Sequence, residues 1–349
     1  MNFTKFEPDM KSCRYCFMCR HLSAVGNVLF SEADTPRGRA LMLDTASHDP
    51  EFLFTDDVIE TMYRSDLSAC CRFHCVSHYD ENGLVLAARR DIVVAGKAPA
   101  KVAELAKKYA QDNQFTTEGK ADVLYFVDAY TDEEGSVTSA FAAIAKAANV
   151  GYATISGGCI GKALKVLGYE NEAKKAAENF AAAVNASGAK ILVVSNPAAY
   201  DAVKNDFPAW GVKVNAEVMH TSQFIAKLLA DKALKAADAK AEVYYLESDF
   251  LKNYNGNISA PRDVLTAFGF ILKPFGTNNE ESYSAGEGAC VLKELHPELV
   301  TKLAKKVASR ADNPEKDLLI TASPYTAIVL KKEAGLNVAT IEEVIASQL

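Results

Sequence analysis

Three short segments recur in the same order in two parts of the chain, and this recurrence constrains the fold more than any other feature. The buried-strand pattern "ADVLYFVDAY" has its counterpart in "AEVYYLESDF". "SGGCIGKAL" is echoed by "SAGEGACVL", and "AKILVVSNPAAY" by "DLLITASPYT". Helix-type segments separate the apolar runs, and such alternation favours an α/β fold with a mostly parallel sheet. We therefore expect a duplicated α/β unit, since the period is too long for a solenoid.

The part of the chain before these repeats has helical patterning. "DTPRGRALML" predicts a helix start, because Asp34 or Thr35 can act as the cap and Pro36 suits the first turn. "DDVIETMYRSDL" and "APAKVAELAKKYAQDN" predict two further helices, and "FTTEGKAD" is typical of a polar linker. The predicted domains are a helical domain over 1–118 and a duplicated α/β domain over 119–349, with repeats of about 119–236 and 237–349.

Charge and hydropathy exclude several classes of protein. The formal net charge is −7 and no basic stripe is present, which argues against a general nucleic-acid binder. The chain contains no run of about 18 apolar residues and no apolar segment near its start. We expect a cytoplasmic protein without an integral membrane segment, associated at most peripherally with the inner face of the membrane.

Six of the eight cysteines lie within the first 75 residues. In a reducing compartment, clustered cysteines indicate metal binding or redox catalysis before structural disulfides. Cys13, Cys16 and Cys19 have the C-x-x-C-x-x-C spacing, in which one loop wraps a corner of a cubane iron–sulfur cluster. The fourth thiolate of such a site comes from elsewhere in the chain.

The second cysteine stretch, "SDLSACCRFHCVSH", supplies candidates for that fourth ligand. In two-cluster ferredoxin domains, the fourth cysteine of each run binds the other cluster. When this pattern is aligned so that its last cysteine is Cys75, one cluster has a complete set of four cysteine ligands. We predict one [4Fe–4S] cluster, and Cys71 or Cys70 stays open as an alternative fourth ligand. The predicted ligand set is Cys13, Cys16, Cys19 and Cys75.

The same alignment predicts the loss of a second cluster. Its ligand positions fall on Ser23, Ser65 and Ser68, so that only Cys71 remains as a thiol. A serine alkoxide is a poor substitute for a soft thiolate. We therefore expect the chain to keep a single cluster in this part.

Zinc is the main alternative metal. The three-cysteine run together with Cys75, His21, His74 or His78 could form a tetrahedral zinc site in a structural subunit. Structural zinc sites more often use two separated C-x-x-C pairs, so the spacing favours iron–sulfur. The histidines are each interpreted as residues beside the cluster or on the surface.

These motifs together resemble the iron–sulfur subunit of glycolate oxidase and the wider group of (Fe–S)-binding proteins related to heterodisulfide reductase subunits. The resemblance covers nearly the whole chain, and "PRGR" is its most specific local mark. It implies an N-terminal helical ferredoxin-like domain in an electron-transfer subunit. It also implies an FAD-linked oxidase-type flavoprotein partner, which oxidises a 2-hydroxy acid or related alcohol. We predict no catalytic residue on this chain.

In that family the duplicated domain carries CCG motifs and further cysteines, most of which are absent here. Ile160 follows Cys159 where the second cysteine of a pair would stand, and Asp249 also replaces a cysteine. We expect no cluster in this domain, and its favoured interpretation is a scaffold or docking surface. The alternative is a polar cleft that binds or converts a small molecule. Its candidate residues are Asn196, Glu247, Asp249, Ser284 and Ser323.

Two interpretations stand for the basic residues of the "PRGR" element. Arg37 and Arg39 could offset the negative charge of a thiolate-ligated cluster and tune its potential. They could equally pair with nearby carboxylates such as Glu32 or Asp34.

Overall fold

The computed structural model describes residues 1–13, 16–133, 135–275, 279 and 281–349 of the chain. Helices alternate with the strands of two sheets, so the predicted α/β class is confirmed. Within the described ranges, no helix combines the length and the hydropathy that a membrane crossing requires.

The N-terminal part is helical. The helix start predicted at "DTPRGRALML" is confirmed: it is the start of α3, with Pro36 as the first residue. The Thr35 side chain caps this helix by accepting a hydrogen bond from the Gly38 N–H (3.0 Å). Short 3₁₀ turns join the helices at Phe3–Phe6, Arg20–Leu22, Pro50–Phe54 and Cys70–His74. The helices are α1 (Glu7–Cys13), α2 (Ala24–Leu29), α3 (Pro36–His48), α4 (Asp56–Tyr63), α5 (Glu81–Val94) and α6 (Ala100–Gln111).

The first sheet has the strand order β1-β3-β2-β4-β5, with β1 antiparallel to β3 and the other pairs parallel. Its strands are β1 (Phe115–Glu118), β2 (Val123–Val127), β3 (Tyr152–Gly157), β4 (Ile191–Val194) and β5 (Glu217–His220). Its helices are α7 (Ala129–Asp132), α8 (Ser136–Ala147), α9 (Lys162–Leu167), α10 (Glu170–Ser187), α11 (Pro197–Asp201), α12 (Phe207–Ala209) and α13 (Thr221–Ala230), with a π-helical turn at Ala202–Asp206.

The prediction of a linker at "FTTEGKAD" is wrong for its first four residues, which form β1. β1 is an edge strand, and Thr116, Thr117 and Glu118 are exposed. An edge strand needs no apolar alternation because one side of it faces solvent, so a polar strand resembles a linker in sequence.

The second sheet is parallel, with the order β7-β6-β8-β9. Its strands are β6 (Glu242–Leu246), β7 (Ile271–Leu272), β8 (Leu319–Thr321) and β9 (Val338–Thr340). Its helices are α14 (Ser259–Ala267), α15 (Leu292–Leu295), α16 (Pro297–Ala308), α17 (Pro324–Ala334) and α18 (Ile341–Ala346), with a π-helical turn at Asp249–Tyr254 and a 3₁₀ turn at Glu287–Ala289.

Positions matched between the two repeats adopt the same local structure. Pro197 and Pro324 are the first residues of α11 and α17, the helices that follow β4 and β8. Gly161 and Gly286 both have positive φ (107° and 88°) and both precede a helical turn. Such φ values favour glycine, which explains why both repeats carry it there.

The apolar cores cross the predicted domain boundaries. One core joins residues of the N-terminal helices, such as Val25, to residues of the second repeat, such as Leu303. The other joins the two sheets, with Leu192 and Ile320 among its members. The fully buried Arg89 donates to carbonyls of α4 and of α9. The N-terminal helices therefore pack firmly on both repeats, and the boundaries near 118 and 236 stay predictions.

Candidate metal centre

Five cysteine side chains, those of Cys13, Cys16, Cys19, Cys71 and Cys75, line one small cavity, here called the cysteine cavity. Cys13 ends α1, Cys16 lies in the following loop, Cys19 precedes the turn Arg20–Leu22, and Cys75 directly follows the turn Cys70–His74. The backbone N–H of Cys16 donates to the carbonyl of Cys13 (3.2 Å). The structure thus brings together two segments far apart in sequence. A [4Fe–4S] cluster takes four thiolates, so the cavity holds the four predicted ligands and one further thiol, that of Cys71.

Burial favours the protonated form of two of these thiols, those of Cys13 and Cys19. It raises the pKa of Cys13 to about 11, and it also raises the pKa of Cys19. The Sγ of Cys13 lies 3.9 Å from the hydroxyl of Tyr79, which itself donates to the carbonyl of Pro36 (3.1 Å). Metal binding must therefore displace protons from these thiols, as it does in other thiolate sites.

The N-terminus of α3 faces the cysteine cavity. Pro36 lines the cavity, and the backbone N–H of Arg37 opposes the burial effect on Cys19 by lowering its pKa. The first turn of a helix carries partial positive charge, which favours an anionic group placed against it. The helix start therefore helps to offset the negative charge of thiolates in this cavity.

Gly38 lets the first turn of α3 pack closely against the backbone of Glu32 and Ala33. A Cβ at that position would lie 2.1 Å from the carbonyl oxygen of Glu32 and 2.8 Å from the Cα of Ala33, both of which are backbone atoms.

The arginines on either side of Gly38 pair with nearby carboxylates, as one of their two interpretations predicts. Arg37 Nη1 lies 3.1 Å from Glu32 Oε1, and Arg39 Nη2 lies 3.5 Å from an oxygen of Asp34.

The positions of the predicted lost cluster also meet, in an adjoining space here called the serine cavity. It is lined by Ser23, Ser65, Ser68 and Cys71, and it shares Pro36, Cys71 and Glu81 with the cysteine cavity. The oxygen of Ser23 accepts a hydrogen bond from the backbone N–H of Gly26 (3.3 Å), so it caps α2. Hydroxyl oxygens at three of these positions are poor ligands for iron–sulfur.

The two alternative fourth ligands point in different directions. Cys71 lines both cavities, and its Sγ donates to the carbonyl of Cys19 (3.4 Å). Cys70 lines the serine cavity, but its Sγ lies 3.8 Å from Asp249 and accepts from Asn253 (3.5 Å). Burial raises the pKa of Cys70 to about 12. Cys71 is therefore better placed than Cys70 to replace Cys75.

No family model matches the chain. It is 28% identical over 193 residues to the EtfAB:quinone oxidoreductase of Syntrophomonas wolfei, a match that covers 53% of this chain and 26% of that protein. It is 32% identical over 101 residues to a probable membrane-anchored ferredoxin of Chromohalobacter salexigens, covering 28% of this chain and 15% of that protein. The matches thus span about a quarter or less of these relatives. The chain is distantly related to an oxidoreductase and to a ferredoxin.

The chain has the same fold as a protein of known structure. A hypothetical protein from Helicobacter pylori superposes with a TM-score of 0.60 over 99% of this chain and 75% of that chain. The sequence identity is 11%, so the match establishes a common fold alone.

The residues of the predicted polar cleft are buried and separate into three groups. Ser284 donates to Asp249 (2.6 Å), and Ser323 bonds to Glu287, which accepts from the backbone N–H of Asp249 (2.6 Å). Glu247 pairs instead with Arg262 (2.6 Å). Asn196 lies in the first repeat and donates to Asp128 (2.6 Å). Each of the three groups therefore makes its hydrogen bonds to its own partners inside the protein.

Sequence reasoning missed two charged residues in this region. Glu287 is buried, and its pKa is raised by burial to about 7. Lys162 is buried at the matched position of the first repeat, where it bonds to Asp201 and Asp206. The sequence does contain a signal for these two residues, since a charged residue directly follows each of the matched glycines, Gly161 and Gly286.

Proposed function

We propose that the chain is an iron–sulfur electron-transfer subunit that holds one [4Fe–4S] cluster on Cys13, Cys16, Cys19 and Cys75. The main support for this proposal is the cysteine cavity, where thiols from two separated segments meet around one space. A cluster of this kind, when bound, takes up and releases one electron at a time. Relatives named as a ferredoxin and as a quinone oxidoreductase support a redox role.

The chain's own residues would position the group and tune its surroundings. Burial of Cys13 limits solvent around the thiolates, and the N-terminus of α3 offsets their charge. Burial, charge and hydrogen bonds to sulfur are the means by which a protein sets the potential of such a site.

Four exposed apolar side chains on the cysteine-bearing segments, here called the apolar rim, suit the approach of a redox partner. Its members are exposed by 41% to 75%, and two of them, Met18 and Val76, line the cavity itself. Exposed apolar patches commonly mark interaction surfaces. We propose that an FAD-linked oxidase-type flavoprotein docks here and passes on electrons from a 2-hydroxy acid or related alcohol. The apolar rim consists of Phe17, Met18, Phe73 and Val76.

The duplicated domain acts as a scaffold in this proposal. Asp249, Ser284 and Ser323 are at most 4% exposed and are hydrogen-bonded within the protein. Because the hydrogen bonds of these side chains are already made within the protein, the scaffold interpretation is favoured over the ligand cleft.

Metal analysis tests the cluster. The full chain, purified and reconstituted without oxygen, should contain about four iron and four sulfide per chain and give the EPR signal of a reduced cubane. Cys13→Ser should lose most of this content, because an alkoxide replaces a thiolate. The matched control is Cys159→Ser, at a half-buried cysteine of the first repeat, which should keep it. Zinc without sulfide would contradict the proposal.

The fourth ligand is tested in the same assay. We expect Cys75→Ser to lose cluster content, whereas Cys70→Ser should retain it because that thiol faces Asp249. Retention in Cys75→Ser together with loss in Cys71→Ser would transfer the assignment to Cys71.

A matched pair of variants tests the apolar rim. Val76→Asp should weaken capture of the flavoprotein by the cluster-loaded, affinity-tagged chain at least about tenfold, because it places charge at the centre of an apolar contact. Val94→Asp is the control, since Val94 is equally exposed (76% against 75%) and lies at the end of α5. The captured protein should release FAD on acid extraction. A captured partner without flavin would contradict the partner assignment.

A further inference from the structure

A second group of ligand-type side chains lies beside the cysteine cavity. Atoms of His21, His74 and Glu281 that can bind a metal all lie within 4.8 Å of one another. The two imidazole rings are 4.5 Å apart and nearly perpendicular, with an interplanar angle of 79°. Both rings direct Nε2 towards the same oxygen, since His74 bonds to Glu281 Oε1 and His21 lies 4.0 Å from it.

Three separate segments converge on this point. His21 belongs to the turn Arg20–Leu22, His74 ends the turn Cys70–His74, and Glu281 lies between β7 and the turn Glu287–Ala289. The first two flank the cysteine cavity, while Glu281 comes from the second repeat. A group bound here would therefore link the cysteine-bearing loops to the duplicated domain.

The donor chemistry fits zinc. Two imidazole nitrogens and one carboxylate oxygen are a ligand set of open tetrahedral zinc sites, in which water takes the fourth position. Ligand atoms 2.0–2.1 Å from a tetrahedral ion are about 3.3 Å apart, so small side-chain rotations would bring these three into place. His21 borders a cavity of about 440 Å³, which leaves room for the water.

The three side chains are also accessible to an ion from solvent. Their side-chain exposures are 52% for His21, 28% for His74 and 36% for Glu281. We propose that His21, His74 and Glu281 form a zinc site that is separate from the cysteine ligands and that ties the loops around the cysteine cavity to the second repeat.

Cobalt provides a spectroscopic probe for this site. The cluster-loaded full chain, freed of loosely held metal, should bind one Co²⁺ with d–d absorption and without sulfur-to-cobalt charge transfer, because no thiolate is a ligand. Addition of Zn²⁺ should displace the cobalt. Glu281→Gln and His21→Ala should each weaken Co²⁺ binding by at least about tenfold, since each removes a direct ligand.

Two further variants separate this proposal from the cluster and from other histidines. His78→Ala is the matched control, because His78 is exposed in the same loop region and lies outside the group; its Co²⁺ affinity should be unchanged. A Cys13→Ser variant, with its remaining free thiols alkylated, should lack the cluster and still bind Co²⁺ with the same spectrum. If no cluster forms, the cobalt test of the zinc site can therefore still be carried out.

Three outcomes would overturn the zinc site. The first is absence of Co²⁺ binding, which would leave a simple hydrogen-bonded pair of His74 and Glu281. The second is a thiolate charge-transfer band that disappears in Cys13→Ser. The third is an affinity that neither Glu281→Gln nor His21→Ala changes.

Discussion

At the residue scale, Lys162 shows how a buried charge is accommodated in the first repeat. The residue is 8% exposed, and its ammonium group bonds to Asp201 and to Asp206 (2.8 Å). Burial alone would lower the pKa of Lys162, but the two carboxylates outweigh burial and hold the pKa above its ordinary value. The ammonium also lies 5.0 Å from the centre of the Phe250 ring in the second repeat. One side chain thus contacts both repeats.

Replacement of Lys162 by methionine should lower the free energy of unfolding by about 3–5 kcal/mol, because it leaves the buried Asp201 without its cation, while Asp206 keeps Lys165. The control is Lys190→Met, which breaks an exposed pair with Asp122 (2.8 Å) and should cost less than about 1 kcal/mol. Urea denaturation followed by circular dichroism measures both. Equal effects of the two variants would contradict the role given to Lys162.

At the element scale, the first turn of α3 connects helix capping to the cysteine cavity. Thr35 caps the helix, Gly38 packs against the backbone of Glu32, and the Arg37 N–H is directed towards Cys19. The position of one helix start therefore depends on a residue without a side chain. The "PRGR" element is therefore a structural unit that fixes the start of α3.

Gly38→Ala should destabilise the protein by about 1–3 kcal/mol, because the added methyl group forces backbone atoms apart. It should also reduce the iron content after reconstitution, since α3 would move away from Cys19. Gly151→Ala is the control, because a Cβ there meets no atom within 4 Å. Thermal unfolding and iron analysis check both variants, and identical behaviour would refute the packing argument.

At the scale of the whole molecule, the two sheets share a polar junction at His220. Its Nε2 lies 3.0 Å from the carbonyl of Ser195 in the first repeat and 3.0 Å from that of Ala322 in the second. Its Nδ1 accepts from the backbone N–H of Ser222 (3.1 Å), so the ring is neutral. Burial lowers the pKa of His220 to about 4.

This depressed pKa predicts a pH-dependent contribution to stability. In the unfolded chain His220 titrates near its ordinary pKa of about 6.5, so its contribution is full above that value and declines as pH falls towards 4. The destabilisation caused by His220→Gln should therefore shrink by about 2 kcal/mol between about pH 7.5 and pH 5. His48→Gln, at an exposed position, serves as the control. A pH-independent effect of His220→Gln would contradict the neutral buried ring.

Local patterns were sufficient for the fold class and for several elements. The start of α3 and the strands β2, β4, β6 and β8 coincide with predicted segments, because caps and buried apolar runs act over a few residues. Strand β1 was missed because an edge strand carries no buried pattern. The cleft residues were identified as polar, but their mutual hydrogen bonds depend on contacts between distant segments.

The sequence by itself determined the α/β class and the spacing of three cysteines, because both depend on residues close together in the chain; the duplication stays a prediction from recurring segments. Only the tertiary structure placed Cys75 beside Cys13, set Cys70 against Asp249 and buried Glu287 and Lys162. It also brought Glu281 to His21 and His74 across more than two hundred residues. These arrangements arise from packing of whole helices and sheets, which aligns side chains that no local pattern connects.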